Sequence, residues 1–546
     1  MARRSGMPRP FRRAFWAGVL AVLAVAGCSQ DGPPPGPAIG ADGGPILRRG
    51  NASDPGSLDP HQGHGVPAIN ILRDLYEGLV ATAPDGTVIP GVAAEWTVSG
   101  DRREYVFTLR DEARWSNGDP VTAADFVAGF RRALAPATQG GFAQMLAPVQ
   151  NAAMVISGAL PPQELGIQAL DERRLVIRLE GRTPYFLEIL AHPVSFPVHR
   201  PSLEAHGDKF TRPGAHVSNG AYTLEEWVAQ SHVRLVRNPE YHDAANVQIS
   251  EVWYYPLENQ AAELKRYRAG ELDWTFSVPN QQFGWIRKKL PEELVVFPQL
   301  AIGYLGINVQ NGPLAGQPDL RRALAMVLDR DLIVNAVTGA GEIPAFSWVP
   351  PLEGYAQQLP SWSAWSRDRR RREARDLFRA AGYTRKEPLE LELLYNTGEN
   401  NKRLAVAVAA MWKQDLGVHT TLRNEEFRVF LNTLREGNMQ TFRSAWVGDY
   451  RDAFSFAEIL GSYHGLNYPG YSSEAYDRLL QRSMLARTPG RRRALLEEAE
   501  RIMLDDQPVI PLYFYVTKRL IKPWVTGWQP NVMDIHPTRH LKVETP

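Results

Sequence analysis

Two periods of hydrophobicity alternate along this chain from about Ile46 onward. A period of two sends alternate side chains of a half-buried strand inward. It runs through 103–110, with Tyr105, Phe107 and Leu109 on one side, and again through 173–180, 389–396 and 418–427. The stretch 301–310 is apolar from Ala301 to Ile307 and predicts a buried strand. A period near 3.6 predicts helices instead. One covers 66–79, with Ile71, Leu72, Leu75 and Leu79 on a face. Another follows Thr122 and Asp125, which have capping-box spacing ahead of Phe126, Phe130 and Ala133. A third covers 319–337, with Leu320, Ala323, Leu324, Val327 and Leu328 apolar. The stretch 259–274 reads as a helix stopped by Gly270 and then a strand. Ser366 can cap a helix that buries Ala374, Leu377, Phe378 and Ala381 and ends at Gly382, which leaves the arginine run 367–375 as its solvated side. A helix closed by Gly417 stands between two strands, the order of a βαβ unit. Two late helices, 473–486 and 490–504, precede a buried run at 509–516. No internal repeat is present, and the mixture is α/β from end to end.

Length and charge narrow the picture. A chain of 546 residues is long enough for about three or four domains. Five arginines, Arg3, Arg4, Arg9, Arg12 and Arg13, precede a short apolar stretch from Phe15 to Ala26, the pattern of a secretory leader. The sequence "VAGC" then ends at Cys28, the only cysteine, which resembles a bacterial lipobox and makes Cys28 the candidate lipidation site. One cysteine excludes an intrachain disulfide. Loss of residues 1–27 removes five arginines and no acid, so the formal charge moves from +1 to −4. A mildly acidic chain argues against a nucleic-acid partner. Residues 28–45 are rich in Gly and Pro and read as a flexible tether.

Candidate chemistry is sparse. The nucleophile-elbow, zincin, P-loop and dinucleotide-binding motifs are absent. His61 and His64 sit in a Gly/Pro loop that frames a metal poorly, and no metal or cofactor is expected. The stretch "RSAWVGDY", 443–450, stands out. Asp449 follows a strand-like run, Ala445, Trp446 and Val447, where a charge is either solvated in a surface loop at the strand end or partly buried, and a buried one needs a counter-ion.

Several stretches together resemble one family. They are "NASDPGSLDP", "LRDLYEGLV", "YVFTLRDEARWSNGDPVTAADFV", "SNGAYTLEEW", "NPEYHDAANVQI", "YRAGELDW", "YLGINVQ", "MWKQDLGV" and "RSAWVGDY". In this order they are similar to the oligopeptide-binding proteins of bacterial ABC importers, the extracellular solute-binding proteins of family 5, the peptide/nickel class. The resemblance implies a two-lobed periplasmic-binding-protein fold of class II, cluster C type, with an additional inserted lobe. Its expected division is lobe I at 46–76, 201–302 and 517–546, inserted lobe II at 77–200, and lobe III at 303–516, with a hinge near 302 and 516. It also implies a monomeric, periplasmic, lipid-anchored receptor. That receptor would capture short peptides and deliver them to ABC permease and ATPase subunits, without catalysis.

By the same resemblance the ligand's backbone pairs with two protein strands, at His64-Gly65-Val66 and at Ala445-Trp446-Val447. Asp449 pairs with the peptide ammonium. Arg443 receives the carboxylate, a role suited to its planar fork. The sequence departs from the family pattern where other cations and a pocket Trp are expected: Asn311, Asn401 and Leu434 (with Arg435 beside it) replace cations, and Phe427 replaces the Trp. A narrower length preference or a more weakly bound carboxylate is therefore expected. Other readings within the class are a murein peptide, a nickel chelate or an oligosaccharide. Outside it stand a secreted hydrolase, which needs a positioned nucleophile and base, and an envelope chaperone.

Overall fold

The computed structural model describes residues 36–40, 43–63 and 65–544. The leader, Cys28 and His64 lie outside the described residues. Three larger sheets carry the fold. The first joins Pro45–Gly50 in parallel to Glu251–Tyr255, followed by the antiparallel strands His232–Arg237 and Tyr222–Val228. Two residues, Ala38–Ile39, also pair with its edge opposite Ile46 and Pro45. Ordered structure thus begins before Ile46, inside the stretch read as a tether.

The second sheet is antiparallel and lies wholly within 93–178. Its strand Glu104–Leu109 buries Tyr105, Phe107 and Leu109, as the alternation predicts. The helix Ala123–Leu134 packs beside it, with the Thr122 N–H and hydroxyl each donating to Asp125 Oδ2 at 2.9 Å.

The third sheet has six strands. Its centre is a long antiparallel pair, Leu294–Ile307 against Val509–Leu520. Thr441–Val447 pairs antiparallel with the other side of Leu294–Ile307. Glu390–Asn396 and His419–Glu425 extend the sheet in parallel, with the helix Glu399–Leu416 as their crossover and Gly417 in the left-handed region closing it. This is the expected βαβ unit. Among the described residues no helix is long and apolar enough to cross a membrane.

Four expectations change. Gly65 and Val66 do not form a strand; they open the helix Gly65–Leu75. Gly65 turns the chain with φ of +76°, a conformation glycine adopts readily, and Ala68, Ile69, Ile71, Leu72 and Leu75 then bury one helical face. The helix over 319–337 breaks into Pro318–Met326 and a second short segment. Asp329 accepts from the Leu332 N–H at 3.0 Å and caps the second piece. Arg330 goes into the core, donating to the carbonyls of Ala345 at 2.7 Å and Pro511 at 2.9 Å. No strand follows Gly270; Trp274 makes only isolated bridges, to Arg49 and Ile521. Finally, the arginine run is not all solvated: Arg371 and Arg375 both reach the buried Asp415.

Candidate functional site

The strand Thr441–Val447 has one paired edge and one edge that is only partly paired. Along Leu294–Ile307 it is matched from Thr441 to Val447, whereas Glu390–Asn396 matches it only at Thr441 and Phe442. Antiparallel partners exchange main-chain bonds at alternate residues. The Gly448 N–H donates to Leu300 C=O at 2.8 Å, which puts even-numbered residues on that side. Ala445 and Val447 therefore turn their N–H and C=O groups to the open edge. The Val447 side chain is 54% exposed, unusual for a valine in a six-stranded sheet.

A cation and an anion mark this segment, and neither has a countercharge. Arg443 is buried, and its guanidinium donates to the hydroxyls of Tyr515 at 2.6 Å and Tyr513 at 3.3 Å. Its Nε has no acceptor, and among the described residues no carboxylate lies within ion-pair distance. Burial opposes its charge, but the two tyrosines more than offset this and its pKa is raised.

Tyr513 reaches Arg443 by lying across Gly303, which stands in register with both Ala445 and Tyr513. A Cβ on Gly303 would lie 2.6 Å from the Tyr513 ring. A glycine inside a strand often marks such a close approach.

Asp449 is exposed to solvent as a residue, although protein crowds its carboxyl group. Burial alone pushes its carboxyl up to about 6, with no cation to counter the shift. Its own N–H donates to Ser455 Oγ at 3.0 Å, and Trp446 Nε1 donates to Ser455 C=O at 2.8 Å. These bonds fix the loop that presents the carboxylate. Nearby Glu458 is pushed to about 7, first by burial and then, against the Tyr450 hydroxyl bond of 2.5 Å, by Asp449 and Asp452.

The remaining candidates fall at identifiable stations. Asn401 and Phe427 follow the carboxyl ends of Glu390–Asn396 and His419–Glu425, the same end of the parallel strands as Asp449. Phe427 is 54% exposed, and Val66 is 52% exposed. The Asn401 amide is already engaged, donating to Asn396 O and Oδ1 at 3.1 Å. Asn311 follows Ile307, which pairs with Thr441, so it lies past the opposite end of the strand, beyond Arg443. It shares a hollow with Glu392 and Arg423, and that arginine is paired with Glu392 and Glu425. Leu434 is core, and Arg435 bonds Asn432 at 3.0 Å. His61 has both ring nitrogens occupied, by Phe196 O at 2.9 Å and Arg132 at 2.8 Å. Sequence reasoning missed Tyr513 and Tyr515; their spacing of two in a strand was the available signal.

A family model for the bacterial extracellular solute-binding proteins, family 5 (middle part), matches residues 87–467. The chain is 38% identical over 516 residues to the periplasmic oligopeptide-binding protein OppA of Salmonella typhimurium, covering 94% of each chain. The solved structure of the Escherichia coli murein tripeptide binding protein MppA is similar with a TM-score of 0.79 and 38% identity, covering 91% of this chain and 98% of that one. Haemophilus influenzae OppA in complex with RPPGFSPFR is similar with a TM-score of 0.77 and 33% identity, covering 91% and 98%. These family members are binding proteins rather than enzymes, and their architecture is the mixed α/β fold described above. The chain belongs to the bacterial extracellular solute-binding proteins of family 5.

Proposed function

We propose that this protein captures short peptides and passes them to an ABC permease for uptake, binding without catalysis. One observation carries the reading: Arg443 and Asp449, opposite charges six residues apart, both lack a protein countercharge and flank a strand edge with free main-chain groups. A zwitterionic peptide supplies what each lacks. Its ammonium meets Asp449, its carboxylate meets Arg443, and its backbone adds to the edge at Ala445 and Val447. Backbone pairing ignores side-chain identity, so sequence tolerance follows. Val66, Phe427 and Trp446 supply apolar surface, while Gly65, Asn401 and Asn311 border the groove; His64 belongs to the same proposed set.

The ligand sits between lobes I (46–76, 201–302, 517–546) and III (303–516), with lobe II (77–200) inserted. The crossings near 302 and 516 fall within two strands paired side by side, Leu294–Ile307 and Val509–Leu520, so any hinge bends both together. The protein works as a periplasmic monomer anchored through a lipid on Cys28.

Similarity to MppA favours a second reading, a murein peptide as ligand. It uses the same two charges. A neutral oligosaccharide can hydrogen-bond to both but offers a countercharge to neither. Native mass spectrometry of the purified protein tests the proposal: intact short peptides released on unfolding are expected. Release of cleaved products on incubation with a peptide would overturn the non-catalytic reading, and co-purification of a neutral sugar would overturn the peptide reading.

A further inference from the structure

We infer that a second cavity, whose wall begins two residues beyond Asp449 at Arg451, binds a phosphate-type oxyanion. The cavity has a volume of about 470 Å³ and is walled by three separate stretches of chain, 85–184, 352–496 and 530–532. Neither Arg443 nor Asp449 lines it. The inference does not rest on the peptide reading.

Its charge is lopsided. Arg102, Arg182, Arg451, Arg492 and Arg493 line it, against only three acids. Five arginines against Asp85, Glu353 and Asp452 leave a formal surplus of two positive charges. Asp452 is taken by Arg492, with Nη2 to Oδ1 at 2.9 Å. Asp85 accepts from the Thr87 N–H at 2.9 Å and hydroxyl at 2.7 Å, neutral donors that leave its charge facing Arg451. Arg451 reaches the more distant Glu188 only at 3.7 Å. Arg182 is held by a backbone carbonyl, that of Arg487 at 3.2 Å, rather than by a carboxylate.

A helix adds to the imbalance. The 18-residue helix Pro489–Asp506 starts at this cavity, with Thr488 and Pro489 in its wall. The amino end of a helix carries partial positive charge and ordinarily attracts acids. This one has no acid in its first turn and begins "PGRRR", so cations stand where anions are favoured.

Two of the arginines also hold unused donors. The Nε atoms of Arg182 and Arg492 are buried without an acceptor, and Arg492 as a residue is only 8% exposed. A buried donor left unsatisfied is costly unless something accepts from it.

An oxyanion resolves all three features at once. Its several acceptor oxygens match guanidinium forks, and its charge offsets both the arginine surplus and the helix dipole. The volume falls within the roughly 300–1,000 Å³ of small-molecule sites, so the phosphate has room to arrive free or as part of a small phosphomonoester. Because three stretches of chain wall the cavity, an occupant also ties them together.

Calorimetric titration of the purified protein in phosphate-free buffer, with inorganic phosphate and separately with glycerol phosphate, is the test. Saturable one-to-one binding of at least one probe is expected. Tighter binding of the ester assigns the site to carried phosphate, and equal binding assigns it to the free ion; both support the inference. Arg102 and Arg493 are exposed, so the double variant Arg102→Ala/Arg493→Ala retains its fold, and at least tenfold weaker binding is expected in it. Arg478→Ala, which removes a distant pair with Glu474, should change nothing. Phosphate should raise the unfolding midpoint of the unaltered protein and not of the double variant. No saturable binding of either probe, or equal affinity in the double variant, would overturn the inference.

Discussion

Asp449 shows how one residue changes meaning with its surroundings. In the sequence it is one of 60 acids, following an apolar run and a glycine. In the fold it is held by a bonded loop, raised to about 6 by burial, and left without a cation. The sign of its pH dependence follows. In the ligand-free protein the folded state favours the protonated carboxyl, so its contribution to stability is present below the ordinary carboxylate range and is lost as pH rises through about 6. Ammonium binding runs the other way, because it needs the ionised form. Affinity for Ala-Ala-Ala should therefore rise roughly tenfold between about pH 5 and 7 and flatten above. Glu458 titrates in the same window, so Asp449→Asn is the control: if calorimetry finds the same slope in that variant, the slope belongs to Glu458. Asp449→Ala should cost about 2–5 kcal/mol in binding, since it leaves the ligand ammonium unpaired.

At the scale of elements, the sheet places Arg443 through a chain of contacts that only the register reveals. Gly303 leaves room, Tyr513 crosses it, and Tyr513 and Tyr515 hold the guanidinium. Gly303→Ala should displace the Tyr513 ring, cost about 1–3 kcal/mol of stability by overpacking, and weaken carboxylate capture. Urea denaturation and calorimetry with Ala-Ala-Ala check both, and unchanged binding would separate Tyr513 from the site. Much of this architecture was legible beforehand. The alternation at Tyr105, Phe107 and Leu109 and the βαβ order are local patterns, and local patterns survive folding. The failures have tertiary causes. Arg330 breaks an amphipathic period because buried carbonyls on a neighbouring strand and loop accept its donors. Asp415 draws Arg371 and Arg375 off the solvated face for the same kind of reason. The open strand edge was invisible in the sequence, because it depends on where Glu390–Asn396 stops pairing.

At the scale of the whole molecule, the stations along one strand form a gauge. Asp449 lies at one end, Arg443 six residues away, and Asn311 beyond, where the only nearby cation, Arg423 among the described residues of that hollow, is already paired. Six extended residues span at most about 20 Å, so peptides whose carboxylate reaches Arg443 gain an ion pair and longer ones meet amides. Calorimetry with di- to pentapeptides of alanine should show one favoured length, with affinity falling beyond it; equal affinity at every length would remove Arg443 from the role of anchor. Peptide capture depends most heavily on the ammonium end, and the most direct test compares Ala-Ala-Ala with its N-acetylated form by calorimetry at neutral pH. Acetylation removes the charge that Asp449 lacks while leaving the backbone and carboxylate intact. Binding weakened by at least roughly tenfold is predicted, in line with the loss of a charge-assisted pair. Equal affinity of the two peptides would contradict the account.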